Sequence, residues 1–293
     1  QSCLLIYVRV LVKFVFIIIS KGTVQMPIEF GLILACVGFT TASVLCAKAI
    51  FNKSSLNSKL LFSIALIGIV LQLVVAKEVL FLSGELHLSL AFMCLLISAA
   101  INVVLTIRSF RLLNTLMLLV SYGFSALLAL SLVFVPLSSF AYIGGSIDSS
   151  MPMVVHILLS ISAYCVLIIA SLYAIQFRYI DAKLKAKTLS LHSHLPPLNL
   201  VEAQQFRLMA IGLILLSLAL LTGFTFLDNM FSKQYAHKTI LSIIAWGIFL
   251  VLAVGHKLYG WRGHKSAIGT IFAAFILTLA YFGSRFVREI LLY

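Results

Sequence analysis

Of 293 residues, 62% are hydrophobic and 10% are charged, with a mean hydropathy of +1.17. A soluble domain carries about a quarter charged residues and could not hide so much apolar side chain from water. Composition therefore excludes a soluble enzyme or binding module and makes lipid the solvent. The net charge of +13, from 21 Lys and Arg against 8 Asp and Glu, sits in short segments between apolar runs, where the positive-inside rule accounts for it; nucleic acid is not an expected partner.

The first 25 residues stand apart. Ser2–Ser20 is apolar but interrupted by Arg9 and Lys13, and MPIEFGLILACVGF opens at Met26. A helix here would bury a cation near mid-membrane, so residues 1–25 read as an N-terminal extension, a read-through or cloning remnant. Residues 26–293 read as a single membrane domain.

Eight spans follow, near Ile28–Ala47, Leu60–Ala76, Leu88–Ile107, Leu112–Val135, Val154–Gln176, Leu208–Phe226, Thr239–Val254 and Ala267–Gly283. Their lengths match what a hydrocarbon core of roughly 30 Å asks of a helix, and helices are required because lipid offers no partner for free backbone groups. The fold class is all-α, a polytopic transmembrane helix bundle. The loops after spans one, three, five and seven carry thirteen cations: Lys48, Lys53, Lys59, Arg108, Arg111, Arg178, Lys183, Lys185, Lys187, Arg207, Lys257, Arg262 and Lys265. The other face carries five, namely Lys77, Lys233, Lys238, Arg285 and Arg288. The odd loops are expected in the cytoplasm. The longest, Phe177–Phe206, reads as an extension of the fifth helix followed by a turn at Pro196–Pro197, with basic residues near anionic lipid headgroups.

No Asp, Glu, Lys or Arg lies centrally in a span, which disfavours an ion-coupled pump with a carboxylate relay. Gln72, Asn102, Ser160, Ser162 and Tyr164 are the mild polar residues that remain, and Glu78, Glu85, Asp148 and Asp228 are scattered among outer loops. Cys3, Cys36, Cys46, Cys94 and Cys165 form no CxxC or CxxCH, so thiol redox chemistry, a zinc site and covalent haem attachment lack support. No catalytic constellation is assembled.

Histidine is the specific feature. His87, His156 and His237 fall at the predicted outer face; His192, His194, His256 and His264 fall at the inner face. Pro152 starts the fifth span and puts His156 in its first turns, while His237 begins the seventh. Two neutral imidazoles at one depth are what a six-coordinate haem iron takes as axial ligands. His156, Ser160, Ala163 and Tyr164 share one helix face, and such a polar and small stripe faces other helices. His256 lies 19 residues beyond His237, about 28 Å along a helix, so those two cannot bind one iron. A lone interfacial histidine is otherwise an ordinary polar residue.

VVHILLSISAYCVLIIASLYAIQ (Val154–Gln176) resembles the histidine-led helix of the CcsA-type cytochrome c assembly proteins. HKTILSIIAWGIFLVLAVGHKLYGWRG (His237–Gly263) is similar to a later helix of that family, and AYFGSRFV (Ala280–Val287) to its last span. The resemblance covers about Met26 to Tyr293 and implies a multi-pass bacterial inner-membrane protein that carries or presents haem. It implies haem as cofactor, His156 as an outer-face axial ligand to haem iron, His256 as a membrane-embedded histidine nearer the cytoplasm, and His237 as a weaker match. The expected partners are membrane lipid and cytochrome c maturation components or another membrane protein. The chemistry would be coordination and positioning, without bond-making by side chains.

The chain departs from the pattern in two places. Trp246 and Trp261 are its only tryptophans, with none in the outer loop Leu227–Tyr235, where haem-presenting members have a WWD-like run. The tail SRFVREILLY lacks their second outer histidine. A non-haem membrane scaffold, or an accessory subunit of a transporter that keeps the fold without the cofactor, is the alternative reading.

Overall fold

The computed structural model describes residues 28–51, 57–80, 90–110, 114–134, 151–186, 196–226 and 236–283. Among them lie eight helices long and apolar enough to cross a membrane. These are α1 (Ile28–Phe51), α2 (Ser58–Leu80), α3 (Leu90–Ser109), α4 (Thr115–Phe134), α5 (Met151–Lys185), α6 (Leu198–Phe226), α7 (Ala236–Tyr259) and α8 (His264–Thr278), the last continuing as a π-helical turn, Leu279–Gly283. Each expected span has its helix. The N-terminal extension, His87, His192, His194, the acids Glu85, Asp148 and Asp228, the loop 227–235 and the tail from residue 284 lie outside the described residues.

Local chemistry sets the helix starts. Asn57 and Asn114 are side-chain N-caps: the Leu60 N–H donates to Asn57 Oδ1 at 3.3 Å, and the Met117 N–H donates to Asn114 Oδ1 at 3.3 Å. The Pro197 carbonyl accepts from the N–H groups of Leu200 and Val201, so α6 begins ten residues before its apolar stretch. Those first turns mix apolar residues with Asn199, Glu202, Gln204, Gln205 and Arg207, which is why hydropathy alone places the start at Leu208. At 35 residues α5 is about 52 Å long, overshooting a core of roughly 30 Å by some four turns. The overshoot carries Arg178, Lys183 and Lys185, with Lys185 paired to Asp181 at 2.8 Å.

The helices form two compact units, α1–α4 and α5–α8. In the first, each helix packs on its chain neighbours and α4 returns against α1. Backbones approach closely at glycine: a Cβ on Gly38 would stand 3.5 Å from Gly68 Cα. Phe39, Leu61, Ile69, Leu95, Leu118 and Tyr122 fill the core. Within it, Asn102 donates to Ser125 at 2.8 Å and accepts from Ser121, Ser98 meets Ser125 at 2.7 Å, and Thr106 meets Tyr122 at 2.7 Å. The second unit repeats the ring order, α5 on α6, α6 on α7, α7 on α8 and α8 on α5. Its core is built of small and branched residues such as Ala163, Leu167, Ala219, Ala245, Phe249, Ala273 and Leu277. Outward positions such as Ile67, Leu127, Ile214, Leu221 and Phe275 stay exposed and apolar, as lipid-facing positions are.

Candidate functional site

His156 lies in the second turn of α5, half-buried. Its Nδ1 is 3.0 Å from the Ala219 carbonyl oxygen and 3.2 Å from Thr222 Oγ1, both on α6. A carbonyl can only accept, so Nδ1 carries the proton. The Thr222 hydroxyl gives its own proton to the carbonyls of Leu218 and Ala219, and is therefore a second acceptor for the imidazole. The neutral ring is left with its lone pair on Nε2.

The rest of the predicted stripe faces the interior of the same unit. Ser160 hydrogen-bonds the Tyr281 phenol, Ala163 is fully buried, and the Tyr164 hydroxyl lies 3.1 Å from Thr278 Oγ1. The Tyr164 ring is tilted against Tyr281 at 4.7 Å and meets Phe282 edge-on at 5.7 Å. Ser162, off the stripe, is exposed. The π-helical turn widens α8 where Tyr281 and Phe282 enter this contact.

His237 is exposed at the start of α7, and among the described residues no bond or ring contact joins it to His156. His256 is half-buried in the last turn of the same helix. Its ring lies flat on Phe206, 3.5 Å between centroids and 7° from parallel, and its Nδ1 is 2.9 Å from the Trp261 carbonyl oxygen. By the same reasoning its lone pair is also on Nε2.

Helix α6 measures the separation of these two histidines. His256 sits against Phe206 and His156 against Ala219, thirteen residues apart, or about 20 Å. They occupy two levels and cannot share an iron. Among the described residues, no group of three or more His, Cys, Asp or Glu side chains gathers as a metal cage. The donors on offer are single imidazoles.

Sequence reasoning overlooked the surroundings of His256. Glu202 and Phe206 recur at i, i+4 on α6, and Glu202 Oε1 accepts the Gly263 N–H at 2.7 Å. Gly260 and Gly263 both have positive φ, 64° and 78°, which the GWRG run could have announced.

A family model described as cytochrome c assembly protein matches residues 83–292. Inner membrane protein YpjD of Escherichia coli K12 is 34% identical over 268 residues, 91% of this chain and all of that protein. The YpjD protein of Escherichia coli O157:H7 matches to the same extent. A 28.8 kDa protein in the nifR3-like 5′ region of Azospirillum brasilense is 31% identical over 140 residues, 47% of this chain and 52% of its own length. No solved structure matches.

Proposed function

Because the chain belongs to the cytochrome c assembly protein family, as a multi-pass protein of the bacterial inner membrane, we propose that it holds haem through the imidazole of His156. The observation that carries this reading is the Nδ1–H bond to the Ala219 carbonyl. Metal-bound histidines are almost always tied in this way at the nitrogen that does not ligate, which sets the ring's orientation and raises its basicity. The donor set fits a macrocycle that brings four nitrogens of its own and asks the protein for one or two axial imidazoles. A carboxylate or thiolate cage, which a bare divalent ion would ask for, is not among the described residues.

The role of the chain is then to bind, orient and release. Thr222 and Ala219 hold the ring, while Ser160, Tyr164 and Tyr281 line the α5 face below it with hydroxyls and aromatic edges. Bound haem supplies the iron, its redox change and the vinyl groups that cytochrome c assembly uses. His256 is the second candidate imidazole, at the opposite end of the unit, and His237 an exposed third. With the odd loops in the cytoplasm, His156 opens toward the outer face, where maturation components would meet it.

One observation favours the scaffold reading. Trp246 is engaged inside its unit, with Nε1 donating to Ser217 Oγ at 2.8 Å, and Trp261 belongs to the α7–α8 turn. Neither is available to an outer stacking platform. The two readings separate in a visible spectrum of protein purified in detergent from haem-supplied cells, with and without dithionite. A stoichiometric Soret band that His156→Ala shifts or weakens is expected. A colourless protein under haem-replete conditions would favour the scaffold.

A further inference from the structure

We infer that Glu202 and Phe206 are positioning residues for the His256 imidazole, holding it as a one-nitrogen donor with Nε2 presented for ligation. The inference rests on the haem reading for the identity of the ligand. It rests on the geometry alone for the state of the ring.

The turn between α7 and α8 is tied more tightly than joining two helices requires. Gly260 and Gly263 adopt left-handed φ values. The Trp261 N–H returns to the Gly255 carbonyl at 3.1 Å, and its own carbonyl takes the His256 Nδ1–H at 2.9 Å. The Trp261 ring covers Gly255 so closely that a Cβ there would collide with it. Both backbone groups of Trp261 are thus engaged, and the position of its carbonyl decides which imidazole nitrogen keeps the proton.

Helix α6 holds that carbonyl in place. Glu202 Oε1 grips the Gly263 N–H at 2.7 Å, two residues past Trp261. One turn further along, Phe206 lies under the imidazole and restricts its rotation to one plane. Between them Gln205, buried, donates to Thr270 Oγ1 of α8 at 3.0 Å, which locks the register of α6 against α8. Glu202 therefore sets the tautomer through the turn, and Phe206 sets the ring plane by stacking. A merely structural clip would need the same bonds and the same tautomer, but these side chains would then have no bearing on ligation at Nε2.

The test uses the full-length chain with His156→Ala, so that His256 is read without the outer histidine. Hemin is titrated into the purified protein, and the Soret band is followed. In parallel, ¹⁵N-histidine NMR, with His256→Gln to assign the signal, reports which ring nitrogen is protonated. The parent should show Nδ1–H. Glu202→Ala and Phe206→Leu should lower hemin affinity about 10–100-fold, as loss of outer-shell partners does, and should yield mixed tautomers or an averaged ring signal. Glu202→Gln, whose amide oxygen still accepts the Gly263 N–H, and Phe206→Tyr, which keeps the flat ring, should stay close to the parent.

If all four variants match the parent in tautomer and affinity, the inference is wrong. It is also wrong if unmutated protein binds hemin but the His156→Ala parent does not, since His256 is then no ligand. If neither binds, the haem reading falls, and the NMR arm still decides whether Glu202 and Phe206 hold the ring. Should Glu202→Ala fail to fold, Phe206→Leu carries the test alone.

Discussion

Gly212 and Leu167 set the separation of α5 and α6. A Cβ on Gly212 would stand 2.6 Å from Leu167 Cγ and 3.4 Å from its backbone nitrogen, so the two helices touch nearly backbone to backbone. Ala219 lies two turns further along the same face of α6, and that close crossing brings its carbonyl within reach of His156. Gly212→Val should force the pair apart at a cost of about 1–3 kcal/mol, the range for overpacking a well-filled core. Thermal unfolding in detergent checks the loss, and weakened hemin binding through His156 should accompany it.

Thr222 is the lesser of the two acceptors at His156. Thr222→Val keeps the Ala219 carbonyl and the shape of the contact, so the Nδ1–H tautomer should survive. Hemin affinity should then fall by less than about tenfold, below or at the foot of the range for outer-shell changes. A loss as large as that of His156→Ala, read by the same titration, would make Thr222 the controlling partner.

Asn102 is the hub of the buried polar network in the first unit, bonded to both Ser121 and Ser125. Hydrogen bonds inside membrane proteins average about 0.6 kcal/mol each, so Asn102→Ala should cost roughly 1–2 kcal/mol once the loss of the acceptor for Ser121 is included; Ser125 keeps Ser98 and the Ser121 carbonyl. Denaturant unfolding in mixed micelles measures it. Asn102→Leu, which adds apolar bulk where a polar hub stood, should cost at least as much.

The two asparagine caps predict a smaller effect. Asn57→Ala and Asn114→Ala each remove an acceptor from the first turn of a helix. The expected loss is about 0.5 kcal/mol at exposed Asn57, where water replaces part of the bond, and about 1 kcal/mol at Asn114, whose cap is buried. Helix-end amide exchange at Leu60 and Met117 should rise.

Charge asymmetry fixes the expected orientation. A reporter fused after Lys185, at the end of the α5 overshoot, should be active in its cytoplasmic form. A periplasmic signal there would invert the proposed topology and place His256, not His156, at the outer face.

The helices were largely legible because their cause is local. Lipid obliges every apolar run of about twenty residues to close its own hydrogen bonds, and no distant residue can change that. The error at α6 has the opposite cause, since its first ten residues are helical by virtue of Pro197 and of packing at Val201 and Gln205 rather than by hydropathy. The inward stripe of α5 was readable from spacing, and Ser160, Ala163 and Tyr164 do face the interior of their unit. The partners were not readable: Ala219 is 63 residues from His156 and Thr278 is 114 from Tyr164, and neither carries a motif.

By itself, the sequence determined the membrane and the eight helices and pointed to three histidines, His156, His237 and His256, because composition and periodicity act over one helix length. Tertiary structure alone decided which ring nitrogen of His156 and of His256 is tied to a carbonyl. Whether an imidazole presents Nε2 or Nδ1 depends on which carbonyl lies beside it, and that is set by how α6 crosses α5 and meets the α7–α8 turn. Contacts between residues so far apart in the chain follow from close packing of whole helices, which no local pattern encodes.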